Sequence, residues 1–150
     1  MKYNRGKKGK GKVLFCDNTL WGLVNFRGYI ISRLHEDGYE VVLVAPQDVH
    51  TVMKSHVPEG VMYRNVEIDR CGRNPLKDFY YFKALYRIYK EECPDYVFHY
   101  TIKPNIYGTF AARLLGIPCT DMMTGMGYAL KQKDLLNRLA WALYRMALRK

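Results

Sequence analysis

From residue 12 onward, short apolar runs alternate with longer amphipathic stretches. Lys12–Asp17 (KVLFCD) is an apolar run of the kind buried on both faces of a parallel sheet. Asn25–Asp37 has helical periodicity, with Phe26, Ile30, Ile31 and Leu34 on one face and Gly38 as the stop. Glu40–Ala45 (EVVLVA) predicts a second strand closed by Pro46. Asp48–His56 fits a short, poorly apolar helix, and Tyr63–Ile68 alternates as an edge strand does. Asn74–Pro75 pairs an N-cap with proline at the first helical position, opening a helix to Glu92 that carries Phe79, Phe82, Tyr86 and Tyr89 on one stripe. Beyond Pro94 the pattern gives a strand at Asp95–Tyr100 and a helix at Pro104–Leu115 stopped by Gly116. A strand at Cys119–Met123 and a last amphipathic helix at Asp134–Lys150 complete it.

Five strands separated by helices predict an α/β fold, a doubly wound parallel sheet of order 3-2-1-4-5. That order puts the topological switch point between strands 1 and 4. Ligands of such sheets bind at the carboxyl ends of the strands, so the loops Asp17–Asn25, His99–Asn105 and Thr124–Tyr128 are expected to share one crevice.

Composition refines this picture. A chain of 150 residues with 49% hydrophobic content is enough for one domain with a real core. The formal charge is +10, but six of the positives (Lys2, Arg5, Lys7, Lys8, Lys10, Lys12) lie in the first twelve residues. Residues 1–11 therefore read as a disordered basic tail ahead of a domain spanning 12–150. No apolar run approaches the roughly 20 residues of a membrane span, and Val13–Cys16 is shorter than a signal-peptide core of about 7–15. Cys16, Cys71, Cys93 and Cys119 are scattered with no zinc-type spacing, so the chain reads as a cytoplasmic protein with ordinary thiols and no metal site. The basic tail lacks interleaved aromatics, and no helix-turn-helix or RNP pattern follows it. Nucleic acid is accordingly not an expected partner.

Candidate chemistry lies in the strand-end loops. The loop after strand 1 has neither G-x-G-x-x-G nor a P-loop, so no dinucleotide cofactor is expected. Gly22 there either supplies a turn, with Trp21 over the sheet edge, or lets the backbone approach a ligand beside Asn18 or Asn25. His99-Tyr100-Thr101-Ile102-Lys103-Pro104-Asn105 ends strand 4 and enters a helix. Its free N–H groups and Lys103 suit an anionic or polyhydroxylated ligand. His99 reads equally as a core histidine. Thr124-Gly125-Met126-Gly127-Tyr128 offers a turn or a close ligand approach. Arg70 and Arg73 flank a glycine-bearing loop after strand 3 and either hold a phosphate or cap the rim.

The segments Asn25-Phe26-Arg27, Gly72-Arg73-Asn74-Pro75-Leu76-Lys77-Asp78, Thr101-Ile102-Lys103-Pro104-Asn105-Ile106-Tyr107-Gly108 and Thr124-Gly125-Met126-Gly127-Tyr128 resemble the N-terminal domain of family-4-like bacterial glycosyltransferases. These are two-domain GT-B enzymes of capsule, O-antigen and exopolysaccharide assembly. The resemblance runs in order from Val13 to Lys150. It implies a retaining transfer of a sugar from a nucleotide-sugar donor to a polysaccharide or lipid-linked acceptor, with the acceptor on this domain. It also implies a second, donor-binding domain that this chain lacks, which makes the chain a fragment, a truncated reading frame or a split half. Relatives often show H-T-H at the strand-4 end. Here it reads His99-Tyr100-Thr101, so only His99 carries over as a catalytic candidate. Asn25, Arg73, Thr101, Lys103, Asn105, Thr124, Gly125, Gly127 and Tyr128 carry over as acceptor- or phosphate-binding candidates. A nucleotide-sugar 2-epimerase of the same architecture is the alternative. The last helix also presents Arg138, Trp141, Arg145 and Arg149 at three- and four-residue steps, a stripe fit to rest on an anionic membrane surface.

Overall fold

Val13, Leu14, Phe15 and Cys16 of strand β1 (Lys12–Cys16) are buried on both faces, because two layers of helix enclose the sheet. The computed structural model describes residues 9–47, 57–70, 72, 74–124 and 135–148, without the side chains of 135–140 and 148. After β1 come α1 (Leu20–Glu36), β2 (Glu40–Ala45), β3 (Met62–Asn65), α2 (Pro75–Glu92) and β4 (Tyr96–Tyr100). A π-helical turn, Pro104–Gly108, then runs into α3 (Thr109–Leu114), followed by β5 (Cys119–Met122) and α4 (Leu135–Leu148). The five strands form one parallel sheet of order β3-β2-β1-β4-β5, as the alternation predicts.

Strand alternation divides the core in two. Leu14, Cys16, Val42, Val44 and Val97 point to one face and meet Leu85, Ile88 and Tyr89 of α2 with Ala111 and Ala112 of α3. Val13, Phe15, Val41, Leu43 and Tyr100 point to the other and meet Leu20, Leu23 and Ile31 of α1. Two side-chain groups cap helix starts as expected from their residue types: Thr19 Oγ1 accepts the Gly22 N–H at 2.7 Å, and Asn74 Oδ1 accepts the Leu76 N–H at 3.0 Å.

Several expected details are corrected. Helix α1 begins at Leu20, five residues before the expected start, because Thr19 caps it. Its inward row is Leu20, Leu23, Arg27, Ile31 and Leu34, while Phe26 and Ile30 are 65% and 45% exposed. The half-buried Arg27 occupies the middle of the inward face and breaks the apolar pattern there. In α2 the buried row is Tyr81, Leu85, Ile88 and Tyr89. Phe79 is exposed, and Phe82 and Tyr86 lie on the helix flank, where Phe82 meets both other rings with centroids 6.5 Å apart. Strand β3 pairs only over Met62–Asn65, and β5 ends at Met122. In α4, Tyr144 and Ala147 are buried and Met146 is 56% exposed. The helix expected at Asp48–His56 lies outside the described residues. Lys10 N–H and Gly11 C=O already bond Gly38 and Glu40, so the described end of the basic tail is tied to the sheet. Among the described residues, no helix is long and apolar enough to cross a membrane.

Candidate functional site

The parallel order brings the carboxyl ends of β1 and β4 together at the switch point. Asp17, the first residue past β1, is 6% exposed. Its Oδ1 accepts the Asn18 N–H at 2.6 Å. Burial pushes this carboxyl up to about 6, against the pull of the Asn18 and Thr19 N–H groups, the Arg27 guanidinium and the Thr101 hydroxyl. Arg27 reaches over from α1 and lays its guanidinium 4.7 Å from the centre of the Tyr100 ring. Its Nε and the Thr101 Oγ1 are both buried without a well-aligned hydrogen bond. Gly22 packs against this group: a Cβ there would sit 2.8 Å from Thr19 Oγ1 and 3.2 Å from Asp17 Oδ2. The glycine thus serves the close approach of helix to strand end and supplies no turn.

Thr101, immediately after β4, has φ +71°. For a β-branched residue this left-handed conformation is strained by about 1–3 kcal/mol, and such strain gathers at binding and catalytic sites. Thr101→Gly is expected to stabilise the protein by about 1 kcal/mol, since relief of strain exceeds the added chain entropy of glycine. Urea denaturation monitored by circular dichroism measures this, and a destabilised variant would show that the strain is absent.

Of the expected site residues, those of the β4 end are all described, and His99, Lys103 and Asn105 are held by protein partners. His99 is completely buried. Its Nδ1 lies 2.8 Å from Asp121 Oδ1 and its Nε2 3.0 Å from the Tyr89 hydroxyl, so the imidazole acts on a ligand only through what it positions. Lys103, read from the sequence as a phosphate contact, donates to Asp78 Oδ1 at 2.5 Å and to the Gly72 carbonyl at 2.9 Å. Tyr107 donates to the other Asp78 oxygen at 3.0 Å. Lys103 therefore fastens the loop after β3 to the helix after β4. Asn105 is buried and donates to the Met122 carbonyl and to Tyr144, tying the end of β5 to α4, while its Oδ1 has no partner. Asn25 sits on the exposed side of α1 and bonds back to the Trp21 carbonyl at 2.9 Å. Thr124 is exposed just past β5. Arg73, Gly125, Gly127 and Tyr128 lie outside the described residues.

A groove of about 1530 Å³ opens beside this switch point, between α2 and the carboxyl ends of β2 and β3. Trp21 and Tyr80, 42% and 60% exposed, stand on it, with Arg70, Lys77 and Arg87 among its lining residues. Asp69 holds its edge: its carboxylate accepts the Gly72 N–H at 2.7 Å and pairs with Lys77 at 3.2 Å, which lowers its pKa. A Cβ at Gly72 would lie 1.9 Å from Asp69 Oδ2, so any larger residue there would push this carboxylate aside. Sequence reading found the basic loop at this edge but missed the groove, as well as Asp17, Arg27 and Tyr100. The available signals were Arg27 interrupting an apolar helix face and Asp17 directly following a buried strand.

The fold recurs in solved structures. MurG of Acinetobacter baumannii superposes with a TM-score of 0.61 at 18% identity, over 89% of this chain and 39% of its own. The glycosyltransferase SsfS6 of Streptomyces sp. SF2575 gives 0.59 at 14% identity, over 92% and 45%. The UDP-GlcNAc 2-epimerase of Methanocaldococcus jannaschii gives 0.60 at 14% identity, over 91% and 37%. At these identities the likeness is one of fold, and the chain spans less than half the length of each. No curated protein matches the sequence. The family model described as glycosyl transferase 4-like matches residues 12–150, the whole of the sheet and its helices, and the chain belongs to that family.

Proposed function

We propose that this chain is the acceptor-side domain of a glycosyltransferase that moves a sugar from a nucleotide-sugar to a polysaccharide or lipid-linked acceptor. The observation that carries the reading is the groove at the strand carboxyl ends, on a domain of glycosyl transferase 4-like sequence. Exposed Trp21 and Tyr80 give apolar faces on which sugar rings stack, and Arg70, Lys77 and Arg87 give charge-assisted donors for phosphate oxygens. Thr101 and Thr124, with Asn25, Arg73, Gly125, Gly127 and Tyr128, are proposed to add acceptor or phosphate contacts outside this groove, and Asn105 to act by holding the end of β5 against α4. His99 is proposed as a positioning residue. A second reading, a nucleotide-sugar 2-epimerase, is favoured by the 2-epimerases among the structural neighbours.

Transfer needs both donor and acceptor held in reacting geometry, which a single wall of a two-domain cleft does not do. The 150-residue chain alone is therefore expected to bind a polyprenyl-diphosphate-sugar analogue weakly and to transfer nothing from a radiolabelled nucleotide-sugar. Tyr80→Ala is expected to weaken the binding about tenfold by calorimetry, in line with the loss of one stacked ring. Lys103→Ala is expected to lower the melting temperature and leave the binding nearly unchanged. Turnover by the chain alone, or analogue binding indifferent to Tyr80 and to Arg87→Ala, would overturn the reading. Peripheral membrane contact is part of the same proposal, since Trp141 and Arg145 are exposed on the outer side of α4. Each basic residue near anionic lipid contributes about 1 kcal/mol, so co-sedimentation with anionic vesicles should fade with salt.

A further inference from the structure

The cluster beneath the β4–β5 pair shares only His99 with the reading above, and no local spacing in the sequence reveals it. Parallel pairing sets His99 against Asp121 and Val97 against Cys119. His99, Cys119 and Asp121 thus fall on one face of the sheet, two residues apart along each strand. One donor atom from each, an imidazole nitrogen, a thiol sulfur and a carboxylate oxygen, lie within 4.8 Å of one another. From these residues we propose that this cluster is a binding site for a single zinc-class divalent cation, independent of the glycosyltransferase reading.

The donor set suits that class. Mixed nitrogen, sulfur and oxygen ligands with one open position are the coordination of Zn²⁺, and hard cations such as Mg²⁺ disfavour the thiolate. Charge suits it as well. A thiolate and a carboxylate neutralise a divalent ion, so the occupied site is neutral and buries no net charge. Binding sends the Cys119 thiol proton to solvent, and the neutral His99 ring coordinates through one nitrogen while its proton sits on the other, facing the Tyr89 hydroxyl. Partners around the ligands are in place. The Tyr89 hydroxyl holds the other ring nitrogen of His99 at 3.0 Å, and Thr109 donates to Asp121 Oδ1 at 2.7 Å. Such outer partners fix a metal-binding histidine in one orientation. The ion would clamp β5, a four-residue strand paired to β4 alone among the described strands, to that neighbour.

Cobalt(II) alone, titrated into the full 150-residue chain, is the probe, because its thiolate complexes absorb by sulfur-to-metal charge transfer. The expected result is a charge-transfer band saturating at one equivalent, displaced by Zn²⁺, and a melting temperature raised by Zn²⁺. Cys119→Ser should abolish the band while leaving the far-ultraviolet circular dichroism unchanged. Asp121→Asn, which preserves the hydrogen-bond partners, should weaken cobalt binding at least tenfold. Cys93→Ser, whose thiol is elsewhere, should leave the band intact. A cluster that is only a hydrogen-bond network gives no band. That outcome, or a band that survives Cys119→Ser, or one lost with Cys93, would overturn the proposal.

Discussion

Asp17→Asn should stabilise this protein by about 2–3 kcal/mol at pH 7.5 and by almost nothing at pH 4. A carboxyl raised from its ordinary 3.8 to about 6 carries about 3 kcal/mol of penalty once ionised in the folded state. Below about pH 4 it is protonated both folded and unfolded, and the penalty is absent. Between about 4 and 6 the unfolded chain loses the proton while the folded one keeps it, so stability falls as pH rises. Above about 6 both forms are ionised and the full cost applies. Asparagine keeps an oxygen for the Asn18 N–H and offers an amide donor toward the Thr101 hydroxyl, which has no well-aligned hydrogen bond. Urea denaturation of both proteins from pH 4 to pH 8 gives the difference directly, and subtraction cancels the opposite slope of carboxylates such as Asp69. At a few degrees per kcal/mol, the melting temperature at pH 7.5 should rise by about 6–10 °C. A difference that stays flat across this range would mean that Asp17 ionises normally. Arg27 from α1, Tyr100 and Thr101 from the β4 end, Cys16 beside it and Tyr81 from α2 are the charged or polar groups facing it. None of them offsets its burial.

The frame of the fold was legible because buried parallel strands leave runs such as Lys12–Cys16 and Glu40–Ala45 without polar interruption, and right-handed crossovers allow few strand orders. Helix faces were harder. Phe26, Phe79 and Ile30 are as apolar as the residues that are buried, so periodicity alone mixed exposed with buried positions on α1 and on α2. What settled the true inward row of α1 was Arg27 on Tyr100, a contact between elements more than seventy residues apart in sequence. The strand-end positions of His99 and Lys103 were legible, but their partners were not. Lys103 reads as a free cation on a loop, and only the packing of α2 against the helix after β4 shows Asp78 waiting for it. The same holds for His99, whose two partners come from α2 and β5, and for the three donors that β4 and β5 bring together. Cross-strand and cross-helix partners are long-range facts, and local spacing carries no trace of them.

Gly108→Ala should destabilise the protein by about 3 kcal/mol, although the backbone gives no reason for it. Gly108 has φ −65° and ψ −42°, an ordinary helical conformation in which alanine is normally better than glycine by about 0.5–1 kcal/mol. Space alone decides the sign. An added Cβ would lie 2.5 Å from both Cδ2 and Nε2 of His99 and 3.0 Å from the Tyr89 hydroxyl. Neither neighbour can swing aside, since His99 is held between Asp121 and Tyr89, and Tyr89 is itself fully buried. Overpacking of this kind costs about 1–3 kcal/mol and more where rotamers are locked, which outweighs the helical preference. The π-helical turn at Pro104–Gly108 therefore ends on a residue whose missing side chain is the seat of the imidazole. A double-mutant cycle isolates that claim. His99→Ala alone is destabilising, because it empties the seat and strands Asp121 and Tyr89. In its background, however, Gly108→Ala should be neutral or stabilising, a coupling of about 3 kcal/mol between the two positions. Chemical denaturation of the four proteins supplies the cycle. If the two changes add, the clash is relieved by the helix and not by the histidine, and Gly108 has no special tie to His99.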